Sequence, residues 1–231
     1  MANKVAIVTG ASGNLGQAVV KRLIEEGYYV AGTVIPNDPV VLDLPGQNFE
    51  KHVTDLMNEE ESGKFVDGIV THHGQIDVAV LTVGGFAMGG IADTKASDIM
   101  KQYRLNFETA YTIARPAFVK MMQQGSGRIF LVGSRPGLEA QQGKRMVAYG
   151  LAKSLLFRLA ELMNDEARGT NVVTSVVVPG TIDTPQNRKA MPEADFNKWI
   201  KAEDIAEIIY YYCSDKARAI REPLIKAYNN A

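Results

Sequence analysis

Tyr149 and Lys153 stand four residues apart in Tyr149-Gly150-Leu151-Ala152-Lys153, inside a long apolar helical pattern. That spacing puts a phenol and an ammonium on one helix face, a turn apart. A free phenol has a pKa of about 10 and exchanges protons poorly near neutrality, whereas a neighbouring cation stabilises its phenolate. Tyr149 is therefore expected to serve as a general acid and base. Ser134, in Gly133-Ser134-Arg135-Pro136-Gly137, follows the apolar run Arg128 to Val132. It falls at the carboxyl end of a strand, where open α/β sheets bind ligands. A third feature is the turn Thr9-Gly10-Ala11-Ser12-Gly13-Asn14-Leu15-Gly16, directly after Val5-Ala6-Ile7-Val8. Strand, glycine turn and helix let a dinucleotide's pyrophosphate approach the backbone, and the amides at the helix start favour its charge. Glycine also serves simply to reverse a chain, so the turn alone does not decide.

The elements that must carry these residues follow from periodicity. Val5 to Val8 is apolar without alternation, as in a strand buried on both faces. Leu15, Val19 and Leu23 mark a first helix ending near Gly27, and Tyr29 to Val34 a second strand. Residues 35 to 47 contain Pro36, Pro39 and Pro45, which predicts an irregular connection to a short strand from Phe49 to Val53. Asp55 and Leu56 come next, either near an adenine ring or in a surface turn. A helix from Asn58 to His73 and a strand from Asp77 to Thr82 lead to the glycine-rich loop Val83-Gly84-Gly85-Phe86-Ala87-Met88-Gly89-Gly90. Such a loop suits either a backbone approached by a flat ligand or plain flexibility.

The pattern from Ala96 to Gln124 reads as one long helix, with Asn106 near its middle and Pro116 inviting a kink. In the helix of Tyr149, the residues Leu151, Leu155, Leu156, Leu159, Leu162 and Met163 spread over more than one stripe. That implies burial against the sheet and against a second subunit. Asn171 to Val178 is another buried strand. Thr181 to Lys201 reads as a long unpatterned loop, hence a lid, with Met191, Phe196 and Trp199. A helix from Ala202 to Cys213 and a strand from Leu224 to Ala227 close the chain. Alternating helices and buried strands imply a doubly wound parallel sheet of about seven strands with helices on both faces, one Rossmann-like α/β domain over residues 1–231.

Composition narrows the partners. A formal net charge of -1 offers no field for nucleic acid or acidic membranes, so small molecules are expected. Cys213 is the single cysteine, which excludes an internal disulfide and suits core packing in a reducing, cytoplasmic compartment. His72 and His73 are adjacent, point to different helix faces and read as solvated, so no metal site is expected. The N-terminus runs quickly into a strand, which leaves no room for a signal peptide, and no apolar run reaches the roughly 18 residues of a membrane span.

In order along the chain, the turn from Thr9 to Gly16, Asp55, Ser134-x-x-Gly137, Tyr149-x-x-x-Lys153 and Pro179-Gly180-x-x-x-Thr184 resemble the short-chain dehydrogenase/reductase family. The resemblance implies catalytic roles for Asn106, Ser134, Tyr149 and Lys153: Tyr149 as proton donor, Ser134 on the oxyanion, Lys153 lowering the phenol's pKa and bonding the nicotinamide ribose, and Asn106 holding a relay water. It implies NAD or NADP as cofactor, held by Gly10, Ser12, Gly13, Asn14, Leu15 and Gly16 at the pyrophosphate. Asp55, Leu56, Val83, Gly84 and Gly85 would lie along its length, with Tyr149, Lys153, Pro179, Gly180 and Thr184 at the nicotinamide. A homodimer or homotetramer through the helices of Asn106 and Tyr149 is also implied.

The chain departs from the family pattern at Asn14, where a glycine is usual, and at Leu81-Thr82-Val83-Gly84, where Asn-Asn-Ala-Gly is usual. Val83-Gly84-Gly85-Phe86-Ala87, the short second crossover and Asp183-Thr184-Pro185 through Phe196 look like the dihydropteridine reductase branch. That branch carries a ribose-binding Asp where Val34 stands here and lacks a serine at position 134. Ser134 resembles ordinary carbonyl reductases instead. The reading is a small carbonyl or alcohol as substrate, with a quinonoid dihydropterin as the alternative and a dinucleotide-sensing regulator as a non-enzymatic one. Val34, with no Lys or Arg between Leu23 and Glu50, leaves NAD against NADP open.

Overall fold

Every residue of β1 (Val5–Thr9) is buried, because the strand is covered on both faces. Val5 and Ile7 pack into one apolar cluster and Ala6 and Val8 into another across the sheet. The structure is a computed structural model and describes residues 4–40 and 48–230. The other strands are β2 (Tyr29–Val34), β3 (Phe49–Val53), β4 (Val78–Leu81), β5 (Ser126–Val132), β6 (Asn171–Pro179) and β7 (Leu224–Ala227). They form a seven-stranded sheet in the order β3-β2-β1-β4-β5-β6-β7, parallel at each pairing.

The helices are α1 (Asn14–Glu25), α2 (Glu59–His73), α3 (Ala96–Tyr103), α4 (Thr109–Gln124), α5 (Arg135–Leu138), α6 (Val147–Glu166), α7 (Pro185–Ala190) and α8 (Ala202–Cys213). Apolar residues of α2, α4 and α6 fill the core on one face of the sheet, and those of α1 and α8 fill the other. The expected doubly wound Rossmann-like fold is therefore present. After β3 the chain returns to lay β4 on the opposite side of β1, which opens a crevice at the carboxyl ends of those strands. Local signals set the boundaries. The Asn58 side chain accepts from the amides of Glu60 and Glu61 to start α2, and Gly74 ends it at φ 78. Gly27 takes φ 80 after α1, the left-handed conformation a glycine adopts without strain.

Four expectations need correction. Strands are not buried throughout: β3 is largely exposed, because it is the sheet's edge and pairs only with β2. The stretch from Ala96 to Gln124 is not one α-helix, since Arg104–Glu108 forms a π-helical turn between α3 and α4. Its cause is Asn106 rather than Pro116, which sits inside an unbroken α4: the Asn106 amide donates back to the Gln102 carbonyl at 3.3 Å and opens the ladder.

Residues 181–201 are not unpatterned either. Thr184 Oγ1 accepts from the Asn187 amide at 3.1 Å, Pro185 takes the first helical position, and α7 results. An isolated bridge between Ile182 and Ile200 closes this segment at its base, where Trp199 is buried. His73, last, is partly buried against the Tyr29 ring at 4.0 Å, and desolvation lowers its pKa. Pro45 lies outside the described residues, while Pro36 and Pro39 fall in the irregular stretch after β2.

Candidate active site

Gly10 takes φ 64 at the end of β1 and turns the chain into α1. The turn is tied down from both sides. Gly13 N donates to Gly10 O at 2.9 Å, and Thr82 Oγ1, after β4, donates to Thr9 O at 2.7 Å. A Cβ on Gly16 would lie 2.1 Å from Gly10 O and 2.8 Å from its carbonyl carbon, so α1 starts in contact with backbone and alanine has no room there. Gly13 caps α1 with no side chain, which leaves the first-turn amides to a ligand. These are the properties a pyrophosphate requires.

The cleft above the turn has a volume of about 460 Å³. Its walls include Gly10, Ser12, Gly13, Asn14, Leu15 and Gly16 from the turn, Asp55 and Leu56 after β3, Val83 and Gly84 after β4, and Thr184 just before α7. The cradle fits a nicotinamide dinucleotide. Asp55 also makes the turn that was its other reading, with Oδ1 accepting from Met57 N at 2.9 Å.

Beyond Gly84 the remaining polar groups converge. A Cβ there would lie 2.7 Å from Asn106 Oδ1 and 3.1 Å from Lys153 Nζ. Asn106 is fully buried; its Oδ1 accepts from Gly85 N at 3.0 Å, and its Nδ2 donates to Gly85 O and to Gln102 Oε1, each at 2.9 Å. A relay water on this carboxamide, as the resemblance implies, would find the Nδ2 donors taken and the second lone pair of Oδ1 as its place to bond.

Ser134 follows β5 and caps α5, with Oγ accepting from Gly137 N at 3.3 Å, and its side chain stands near enough to the Tyr149 phenol to pull the phenol's pKa down. Gly137 explains the Ser-x-x-Gly spacing physically. A Cβ there would lie 2.6 Å from Lys153 Cβ and 2.8 Å from the Lys153 carbonyl carbon, so only glycine lets α5 rest on α6 and bring Ser134 to Tyr149. The Phe86 ring stands edge-on to Tyr149 at 5.2 Å. Pro179 and Gly180 close β6, with Gly180 N donating to Ala227 O at 2.8 Å, and do not wall the cleft.

The electrostatics differ from the expectation in one respect. Burial pushes the Tyr149 phenol above its usual 10.0, and Ser134, not Lys153, is the group that pulls against the rise. Lys153 is itself enclosed, at 4% exposure, and desolvation brings its pKa down from 10.5 to about 8. Its Nζ donates to Val132 O at 2.7 Å.

This geometry has known counterparts. A family model described as short chain dehydrogenase matches residues 4–195. The chain belongs to that family. It is accordingly an NAD(P)-dependent oxidoreductase. Among its relatives in the family, an acetoacetyl-CoA reductase of Acinetobacter sp. is 29% identical over 189 residues, 79% of this chain and 75% of that one. A short-chain dehydrogenase/reductase from Serratia marcescens superposes with a TM-score of 0.86 at 27% identity, over 99% of this chain and 98% of that one. A blue fluorescent protein from a metagenomic library, crystallised with NADPH, shares the fold at a TM-score of 0.84 and 22% identity, over 99% and 98% of the two chains.

For a short-chain dehydrogenase, two features here escape sequence reading. Phe86 reaches Tyr149 only because Gly89 N donates to Arg145 O at 2.7 Å and Val147 N to Gly89 O at 3.0 Å, which ties the glycine-rich loop to the start of α6. Asp38 also enters the cleft wall and accepts from the Ser12 hydroxyl, a bond that holds its carboxyl below the usual range. Asn37-Asp38-Pro39 is a turn signal and was the one available hint. Among the described residues no group of His, Cys, Asp and Glu could hold a metal, and no helix is long and apolar enough to cross a membrane.

Proposed function

We propose that this enzyme transfers hydride between the nicotinamide of NAD or NADP and a small carbonyl or alcohol, with Tyr149 as proton donor in the reductive direction. The supporting observation is that Ser134 stands near enough to Tyr149 to oppose the rise in the phenol's pKa, with the buried Lys153 one helical turn from Tyr149. The bound cofactor supplies the hydride. Tyr149, kept protonated by burial, gives its proton to the oxygen of the reduced carbonyl. Ser134 donates to that oxygen as charge builds, and a donor so placed in a dry site contributes roughly 3 kcal/mol. Lys153 bonds the nicotinamide ribose. Asn106 acts as a positioning residue through Gly85, and α7 with its flanks covers the substrate.

A panel assay following nicotinamide absorbance tests this reading, with ketones, aldehydes and quinonoid dihydropterin as acceptors. Reduction of ketones or aldehydes is expected. Reduction of the pterin alone would replace the substrate class, although the relatives named above lend that alternative no support and Ser134 stands beside Tyr149 where the pterin branch lacks a serine. No turnover with any acceptor would favour a dinucleotide-sensing regulator.

Assembly through α4 and α6 belongs to the same proposal. Leu151, Leu155 and Leu162 on α6, and Tyr111 and Val119 on α4, are exposed on helices that share one side of the sheet. Apolar side chains at these spacings form stripes that a second copy can bury. Sedimentation is expected to give a homodimer or homotetramer, with Leu155→Glu shifting it to monomer; a monomeric wild type would remove this part. The single cysteine and the near-neutral charge suit a cytoplasmic enzyme.

A further inference from the structure

Arg135 directly follows Ser134, at the first position of α5, and the mechanism leaves it unused. Its guanidinium lies 4.6 Å from the centre of the Tyr228 ring, just past the end of β7. Arg135 Nε and the Tyr228 hydroxyl are both buried, and neither has a hydrogen-bond partner among the described residues. The guanidinium forms no ion pair among them either. Glu139, the acid nearest to it in the sequence, goes instead to Lys226, at 3.5 Å. A cation enclosed without an anion, beside an unsatisfied hydroxyl, carries a cost that a ligand removes.

The orientation of the two groups says what ligand. The ring takes one face of the guanidinium, as in a cation–π contact, and leaves its in-plane fork of N–H donors free. That fork matches a carboxylate, and the phenol hydroxyl offers one more donor. Position says which carboxylate. The start of α5 is fixed: Ser134 Oγ accepts from Gly137 N, Glu139 N donates to Arg135 O at 2.8 Å, and Gly137 rests on Lys153. Consecutive Cα atoms stand about 3.8 Å apart, so the Ser134 hydroxyl and the guanidinium leave neighbouring points of one rigid turn. A Cβ on Gly180 would lie 3.0 Å from Tyr228 O, so this glycine lets the Tyr228 segment lie against the end of β6.

We infer that Arg135, backed by Tyr228, binds a carboxylate of the substrate, and that the carbonyl compound is therefore a short oxo acid. The inference rests on the reaction proposed above. Hydride passes from the reduced nicotinamide to the carbonyl carbon and the Tyr149 proton to its oxygen, giving a hydroxy acid and oxidised cofactor. The carboxylate keeps its charge throughout.

Reduction of pentan-2-one and of the oxopentanoates with the oxo group at carbon two, three or four, followed by nicotinamide absorbance on the full chain, tests the inference. At least one oxo acid is expected to exceed the neutral ketone in kcat/KM by about tenfold or more, the value of a hydrogen bond to a charged group. Arg135→Gln is expected to bring that ratio close to unity through KM. Arg135→Lys, which keeps the charge without the fork, is expected to restore part of it. Tyr228→Phe keeps the ring under the guanidinium and is expected to lower the ratio severalfold. A ketone reduced with no oxo acid preferred, or a preference that survives both Arg135→Gln and Tyr228→Phe, overturns the inference and leaves the proposed reaction standing. An enzyme that reduces neither class removes the proposed reaction, and the inference with it.

Discussion

Replacing Tyr149 by phenylalanine is expected to lower turnover by about 10² to 10⁴, the range for losing a positioned general acid. That corresponds to roughly 3 to 5 kcal/mol of barrier. The substitution keeps the ring, so the edge-on contact with Phe86 survives. It deletes the hydroxyl beside Ser134, and with it the proton. Nucleotide binding is expected to persist, because the glycine turn and the cleft walls lie elsewhere. Single-turnover measurements on enzyme preloaded with reduced cofactor separate the two effects: slow chemistry with unchanged binding is the expected pattern. Near-normal turnover would remove Tyr149 from the acid role and leave Ser134 or a solvent molecule as donor.

Lys153→Met is expected to pull activity and stability in opposite directions. The ammonium is almost wholly buried, and its one hydrogen bond goes to a backbone carbonyl, that of Val132. Burial depresses its pKa from 10.5 to about 8, a difference equivalent to roughly 3 kcal/mol. Below about pH 8 both the folded and unfolded chains carry the proton, and the folded state bears the full cost of enclosing it. Between about 8 and 10.5 the unfolded chain binds more protons, so stability rises with pH across that window.

Methionine has similar reach and no charge. At pH 7 the variant is therefore expected to resist denaturant better than the wild type by about 1 to 3 kcal/mol. The advantage is expected to shrink toward pH 10.5. Turnover is expected to fall steeply in the same variant, since the charge beside the reacting groups is gone. A variant less stable than wild type at pH 7 would mean that the ammonium is compensated in place, and the stored cost would have to be abandoned. The same titration predicts that reduction by the wild type weakens as pH rises through about 8, where the charge on Lys153 is lost.

The architecture was largely legible because its signals are local. Apolar runs such as Val5 to Val8 report strands covered on both faces. Asn58 and Gly74 bracket α2 through bonds and dihedrals that involve near neighbours only. The spacing from Tyr149 to Lys153 fixes a shared helix face by helical geometry alone. The turn from Gly10 to Gly16 was equally visible, since glycine is required wherever backbone meets backbone.

What the amino-acid order could not display depends on contacts between distant segments. Ser12 and Asp38, 26 residues apart, meet through the conformation of Asn37, and no period or composition encodes that angle. The π-helical turn at Arg104–Glu108 follows from Asn106 serving both Gly85 and Gln102. Trp199 reads as a lid residue until the Ile182–Ile200 bridge draws it inside. The proton affinities of Tyr149 and Lys153 depend on desolvation, which is a property of everything packed around them. By itself, then, the sequence determined the sheet, the glycine turn after β1 and the shared helix face of Tyr149 and Lys153, because short-range sterics and periodicity suffice for those. Only the tertiary structure decided which carboxylate meets Ser12 in the cleft wall and how strongly the phenol and ammonium hold their protons, because both depend on the three-dimensional distribution of charge and water.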